Sequence, residues 1–262
     1  MLRSNISPRE KEIKLLRQQE KRFLNRKQMQ NDSKLNKLLA EKVPDKLQNT
    51  LEKAFIKAFE LVFEKGVSAI EKTYNKDELE KNFKVQNFAN KVKGDRKSFR
   101  TLRNNAEFSG KLNTLASAAT GIGMGFLGIG IPDIPLFTAF LFRSIYQTAL
   151  KYGYSYDTED EKIWILLLIQ GAATFGKEQQ KIDEQIDFYI YNKYFKEKIF
   201  SKDIISDTAK ALSKELLYMK FLQGIPIVGI VGGAYDFKYM NEITTYTEIK
   251  YRKRYYEDYT VN

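Results

Sequence analysis

The chain has 262 residues, enough for one large domain with an ample core, and sets 44 Lys/Arg against 33 Asp/Glu for a formal charge of +11. It contains no Cys and no His, which excludes thiolate or imidazole zinc sites, disulfide staples and any nucleophile that needs a histidine base. The opening run Met1–Glu10 has no apolar stretch of the kind a secretory signal requires, so a cytoplasmic or cytosol-facing location is the expectation.

Helical periodicity dominates, and no Asn-Gly or Asp-Gly hairpin turn or sustained alternating run points to a strand. From Pro8 to about Ala40 the chain is densely charged, with Ile13, Leu16 and Leu24 along one side. It reads as a helix that extends from the domain, and residues 1–44 as a basic N-terminal extension; nine Lys/Arg face three Glu over Met1–Gln30. Asp45 opens an amphipathic helix with Leu47, Leu51, Phe55, Phe59 and Val62 roughly on one face, continuing past Gly66 toward Ile70. Residues 75–108 are polar and basic and read as a short helix plus loop; Lys84–Lys111 holds eight basic residues against two acidic ones.

Then comes the least charged stretch of the chain, Leu112–Phe142, whose 31 residues carry a single charge, Asp133. Five glycines precede the run Gly130-Ile131-Pro132-Asp133-Ile134-Pro135, and a weaker echo follows at Gly224–Gly233. Both segments read as apolar Gly/Pro hairpins, hidden in protein or inserted in lipid. Leu112–Pro132 is long enough to span a bilayer but diluted by Asn, Thr, Ser and Gly, and burial within the domain is the favoured reading.

Asp133 followed by Pro135 suits a helix start, and Gly153 suits the end of that helix. Thr158 with Glu161 three residues later forms a capping box that launches a helix apolar on every side, Ile163–Ile169. Three further helices are expected over about 179–195, 204–221 and 234–259, the last rich in tyrosine. The fold class is therefore all-α: a single helical-bundle domain over residues 45–262 with two Gly/Pro-rich hairpin segments and the basic N-terminal extension.

Chemistry-bearing motifs are few. Gly123-Met124-Gly125-Phe126-Leu127-Gly128 spells a dinucleotide fingerprint, but no strand precedes it and Pro132 interrupts the helix that should receive a pyrophosphate, so no cofactor is expected. The acidic group Asp157, Glu159, Asp160 and Glu161 lacks calcium-loop spacing and complements a helix N-terminus; no metal is expected. Asp133, Arg143 and Asp236 stand in apolar surroundings, where carboxylates beside an arginine could form an acid/base pair; helix capping and a buried ion pair explain them more simply. Two basic groups suit an anionic surface, Lys97, Arg100, Arg103 and Lys111 in one place and Arg252, Lys253 and Arg254 among tyrosines in the other. No nucleic-acid fold accompanies the tyrosines, and no specific nucleic-acid partner is expected.

Gly128-Ile129-Gly130-Ile131-Pro132-Asp133-Ile134-Pro135-Leu136-Phe137, Arg143-Ser144-Ile145-Tyr146, Asp160-Glu161-Lys162, Leu167-Leu168-Ile169-Gln170 and Lys250-Tyr251-Arg252-Lys253-Arg254-Tyr255 together resemble the EcsC family of bacterial proteins over about Leu47–Tyr256. The resemblance implies a helical fold. It also implies an accessory or interaction role at the cytosolic face of the cell membrane, linked to an ABC transporter or protein secretion. The partner would be an anionic membrane surface or a membrane complex. It supplies no catalytic residue, so a carboxylate-based hydrolase or lipid-modifying activity at Asp133, Arg143 and Asp236 stands as the alternative, with pore formation by the glycine-rich hairpin behind it.

Overall fold

The computed structural model describes residues 6–29, 45–106, 133–222 and 234–261, and among these there is no strand. Helix α1 (Pro8–Met29) comes first. Helix α2 (Asp45–Leu61) then passes through a π-helical turn (Val62–Gly66) into the short α3 (Val67–Glu71). A two-helix unit follows, α4 (Lys76–Lys93) and α5 (Arg96–Ala106), and then α6 (Asp133–Lys151), α7 (Glu159–Ala173), α8 (Gly176–Asn192), α9 (Ser201–Leu222) and α10 (Ala234–Val261). The all-α reading holds. Among the described residues, no helix is long and apolar enough to cross a membrane.

Helix α7 sits at the centre, and every residue from Ile163 to Ala173 is buried. Its start is fixed as the capping box implies, with Thr158 Oγ1 accepting from the Glu161 amide at 3.2 Å. Helices α8, α9 and α10 pack around it, α2 lies against α9, and α6 joins α2, α4 and α10. Full burial of an Ile or Leu side chain stabilises by about 1.5–3 kcal/mol, so Ile165, Leu168 and Ile169, all without exposed surface, make α7 the anchor of the bundle. An aromatic line ties α2 to α6: Phe59 meets Phe142 edge-on at 5.8 Å, Phe142 meets Tyr146 at 5.6 Å, and Tyr146 stacks on Tyr156 at 4.0 Å.

Two expectations change. Helix α1 does not project: Leu16 and Phe23 are buried, Phe23 stacks on Tyr246 at 4.8 Å, and the helix packs on α5, α8 and α10. Residues 75–108 hold two helices rather than one and a loop. Asn75 Oδ1 caps α4 by accepting from the Glu78 amide at 3.0 Å, and Gly94, with φ +56°, ends it in the left-handed conformation that glycine adopts without a Cβ clash. Of the charge-poor Leu112–Phe142 stretch, residues 134–142 lie on the inward side of α6, mostly buried; residues 112–132 and the echo at 224–233 lie outside the described residues.

Candidate docking face and the buried ion network

Lys250, Arg252 and Arg254 of α10 are buried in the bundle, and Lys253 is half-buried beside them. The Lys250 ammonium has no exposed surface and reaches Glu20 at 2.6 Å and Asp183 and Asp187 at 2.7 Å each. Lys253 joins the same group, 2.6 Å from Asp187 and 3.0 Å from Glu20, and the Tyr246 hydroxyl donates to Asp183. The three carboxylates lie within 4.8 Å of one another, a spacing that would suit a metal ion, but the Lys250 ammonium is the cation they hold. Burial pulls the Lys250 ammonium down, and the negative charges of Asp187, Asp183 and Glu20 outweigh that and hold it well above its ordinary value. The Asp183 carboxyl is raised: burial outweighs Lys250. This network clamps α1 to α8 and α10.

Arg254 is treated similarly. Its Nη1 donates to both carboxylate oxygens of Glu161, at 2.8 and 3.0 Å, and its guanidinium lies over the rings of Tyr154 and Trp164, 4.1 and 4.9 Å from their centroids. Arg252 is buried, bonds to Gln19 and lies 3.5 Å from Glu248. The surface contact expected of Arg252, Lys253 and Arg254 is thus not available to them, because their charges are paired with carboxylates from α1, α7, α8 and α10 itself. Arg103 is likewise committed to Glu12.

Lys97 and Arg100 remain exposed on α5, without an ion pair among the described residues, and Lys111 lies outside those residues. They continue a larger cationic surface. Beyond the first turn of α4, which carries Asp77, Glu78 and Glu80, every charged residue from Lys81 to Lys93 is a lysine: Lys81, Lys84, Lys91 and Lys93, all exposed. Two residues later α5 begins with Arg96, Lys97 and Arg100, also exposed. The intervening Asp95 caps α5, its Oδ1 accepting from the Ser98 amide at 2.7 Å, a bond that holds its carboxyl below the usual value.

Helix α4 also departs from an ordinary amphipathic helix. Leu79, Phe83, Gln86, Asn87 and Asn90, at helical spacing, face the bundle. Asn90 is fully buried and donates to the Tyr255 hydroxyl at 3.2 Å, which donates to Asn87 Oδ1 at 3.0 Å, while Gln86 donates to the Ser98 carbonyl at 3.0 Å. The opposite side carries Val85, Phe88 and Val92, at i, i+3 and i+7, which are 66%, 69% and 66% exposed. Lys81 extends that line and Lys84 and Lys91 run along one flank. The inward stripe is thus mixed, Leu79 and Phe83 with three amides, and the outward side sets three apolar side chains among lysines.

Of the candidate acid/base group, only Arg143 has a described side chain; those of Asp133 and Asp236 lie outside the described residues. Arg143 donates to the Thr73 carbonyl at 3.1 Å, just past the end of α3, and makes no ion pair with a described carboxylate. That bond satisfies a helix-end carbonyl. Burial lowers the guanidinium's affinity for its proton, and no carboxylate among the described residues pairs with it.

A protein-family model described as the EcsC protein family matches residues 10–256. No curated protein and no solved structure matches the chain. The matched region begins inside α1, so the helix docked by Glu20 and Phe23 is included in the conserved domain model rather than lying before it, and it takes in every helix through most of α10. The chain belongs to the EcsC protein family.

Proposed function

We propose that this protein is a non-enzymatic interaction protein that associates peripherally with an anionic membrane surface on the cytosolic side. The observation that carries the reading is the cationic surface of α4 and α5: Lys81, Lys84, Lys91, Lys93, Arg96, Lys97 and Arg100 are exposed and make no ion pair with a described residue. Lys250, Arg252, Lys253 and Arg254 on α10 are paired internally, whereas these cations, like the exposed Lys11, Lys14, Arg17, Lys21 and Arg22 on α1, are open to an external partner. Clustered lysines next to a membrane each contribute about 1 kcal/mol toward an anionic surface, within roughly one Debye length. An ABC transporter or secretion complex is the class of membrane partner the family resemblance adds.

The test is co-sedimentation of the whole chain with vesicles of phosphatidylcholine alone and of phosphatidylcholine and phosphatidylglycerol in equal parts. Binding is expected only with the anionic lipid and is expected to weaken with salt. Lys97→Glu with Arg100→Glu should reduce it by more than about tenfold at low salt, from the per-charge contribution. A chain that stays in the supernatant with anionic vesicles at low salt contradicts the proposal.

A further inference from the structure

We infer that α4 lies flat in the headgroup region of an anionic bilayer, with Val85, Phe88 and Val92 inserted at the acyl boundary and Lys81, Lys84 and Lys91 reaching the lipid phosphates. The inference rests on the membrane reading above and goes further by naming the inserting element and fixing its rotation. Its basis is the outer face of α4. A helix that turns Phe83, Gln86, Asn87 and the buried Asn90 inward while leaving three apolar side chains about two-thirds exposed in one line has an outer face unsuited to water alone.

Four features make a bilayer the occupant. The ridge is one residue wide and spans seven positions, about 10 Å along the axis, which matches shallow interfacial insertion better than a groove-filling contact. Lysines lie in the ridge line and along its flank, where their long stems can run along acyl chains while their ammonium groups stay with the phosphates. The adjoining start of α5 adds Arg96, Lys97 and Arg100 to the same end of the molecule, so the charge needed to bring α4 to an anionic surface sits next to the residues that would insert. Finally, the rotation of α4 is fixed from the inside: Asn90 and Asn87 are bonded through Tyr255, and Phe83 meets Tyr255 edge-on at 6.2 Å. The outer ridge is therefore presented by a supported helix. A polyanion such as nucleic acid would use the lysines and leave the ridge idle.

Vesicles of phosphatidylcholine and phosphatidylglycerol in equal parts, and a duplex DNA of random sequence, distinguish the two anionic surfaces. The variant Val85→Ser, Phe88→Ser, Val92→Ser keeps all charges and is expected to lower vesicle partitioning at least about tenfold while leaving DNA binding unchanged. Because serines on an exposed face could loosen α4, a second variant works in the other direction: Val92→Trp is expected to raise vesicle partitioning several-fold and make it less sensitive to salt. If wild-type protein binds the vesicles but both variants bind them as wild type does, insertion is overturned while charge-driven docking stands. If wild type binds DNA and not the vesicles, the membrane reading itself fails and the inference falls with it.

Discussion

The ring of Phe83 fills the space in front of Gly153: a Cβ built on that glycine would stand 2.2 Å from Phe83 Cε1. Gly153 has φ +84° and ends α6, so the close approach locks α4 against α6 and seats its inner face. Gly153→Ala has two costs, roughly 1–2 kcal/mol for the left-handed backbone and about 1–3 kcal/mol for overpacking. Denaturant unfolding of Gly153→Ala, Phe83→Ala and the double variant would separate them. The double variant is expected to recover the packing part but not the backbone part, so its loss falls short of the sum of the two single losses by about the packing cost.

Lys250 and Asp183 touch each other but are not equivalent. Three carboxylates face the ammonium groups of Lys250 and Lys253, which leaves one excess negative charge in a buried site. Lys250→Met strands three carboxylates with one lysine and is expected to cost about 3–5 kcal/mol. Asp183→Asn removes the desolvated charge, retains an acceptor for Tyr246 and balances the network, so it should lie within about 1 kcal/mol of wild type. Equal losses for the two in urea unfolding would refute this assignment of the excess charge.

Arg254 is an arginine for geometric reasons. Its Nη1 meets both oxygens of Glu161, and its guanidinium lies 4.1 Å from the Tyr154 ring centroid. A lysine keeps the charge but lacks the planar, stacking guanidinium. Arg254→Lys is expected to destabilise by about 0.5–2 kcal/mol, the value of a cation–π contact, and thermal unfolding followed by circular dichroism reads it directly.

The fold should also be lost on the alkaline side. Burial, with carboxylates alongside, raises the buried tyrosines; Tyr74 is pushed up to about 12, and Tyr152, Tyr246 and Tyr251 go well above their ordinary value of 10.0. Each holds its proton more tightly folded than unfolded, so its contribution is complete below pH 10.0 and is lost as the pH rises past the unfolded value. Lys250 has the same sign: its folded value exceeds the ordinary 10.5, so its contribution is present below 10.5 and disappears as the pH climbs through the raised value. Tyrosinate absorbance and helical circular dichroism followed together should change in one cooperative step above pH 10.0. Gradual tyrosine ionisation in a chain that stays helical would contradict the burial of these rings.

Much of the bundle was legible because its signals are local. Thr158 and Glu161 announce the start of α7, the unbroken Ile163–Ile169 run announces its burial, and Gly153 announces the end of α6. Over residues 75–108 the sequence shows a short helix plus loop, and the full pair of helices is hidden for a physical reason. Periodicity locates helices by apolar residues facing inward, and past Leu79 and Phe83 the inward stripe of α4 turns to Gln86, Asn87 and Asn90, the last two bonded through Tyr255, 165 positions on from Asn90. The charge of Arg252, Lys253 and Arg254 was visible but its destination was not, since Glu20, Asp187 and Glu161 come from three different helices. Lys97 and Arg100 were read as available and are exposed; Arg103 is taken by Glu12, a contact that only the docking of α1 creates.

Because the chain has no cysteine, a single one can be placed anywhere and labelled alone. The most direct measurement carries an environment-sensitive fluorophore on Phe88→Cys, with exposed Lys202→Cys on α9 as the reference, and adds vesicles of phosphatidylcholine and phosphatidylglycerol in equal parts. The account predicts a blue shift at position 88 and none at position 202. Vesicle-bound protein whose label at position 88 stays in water would contradict it.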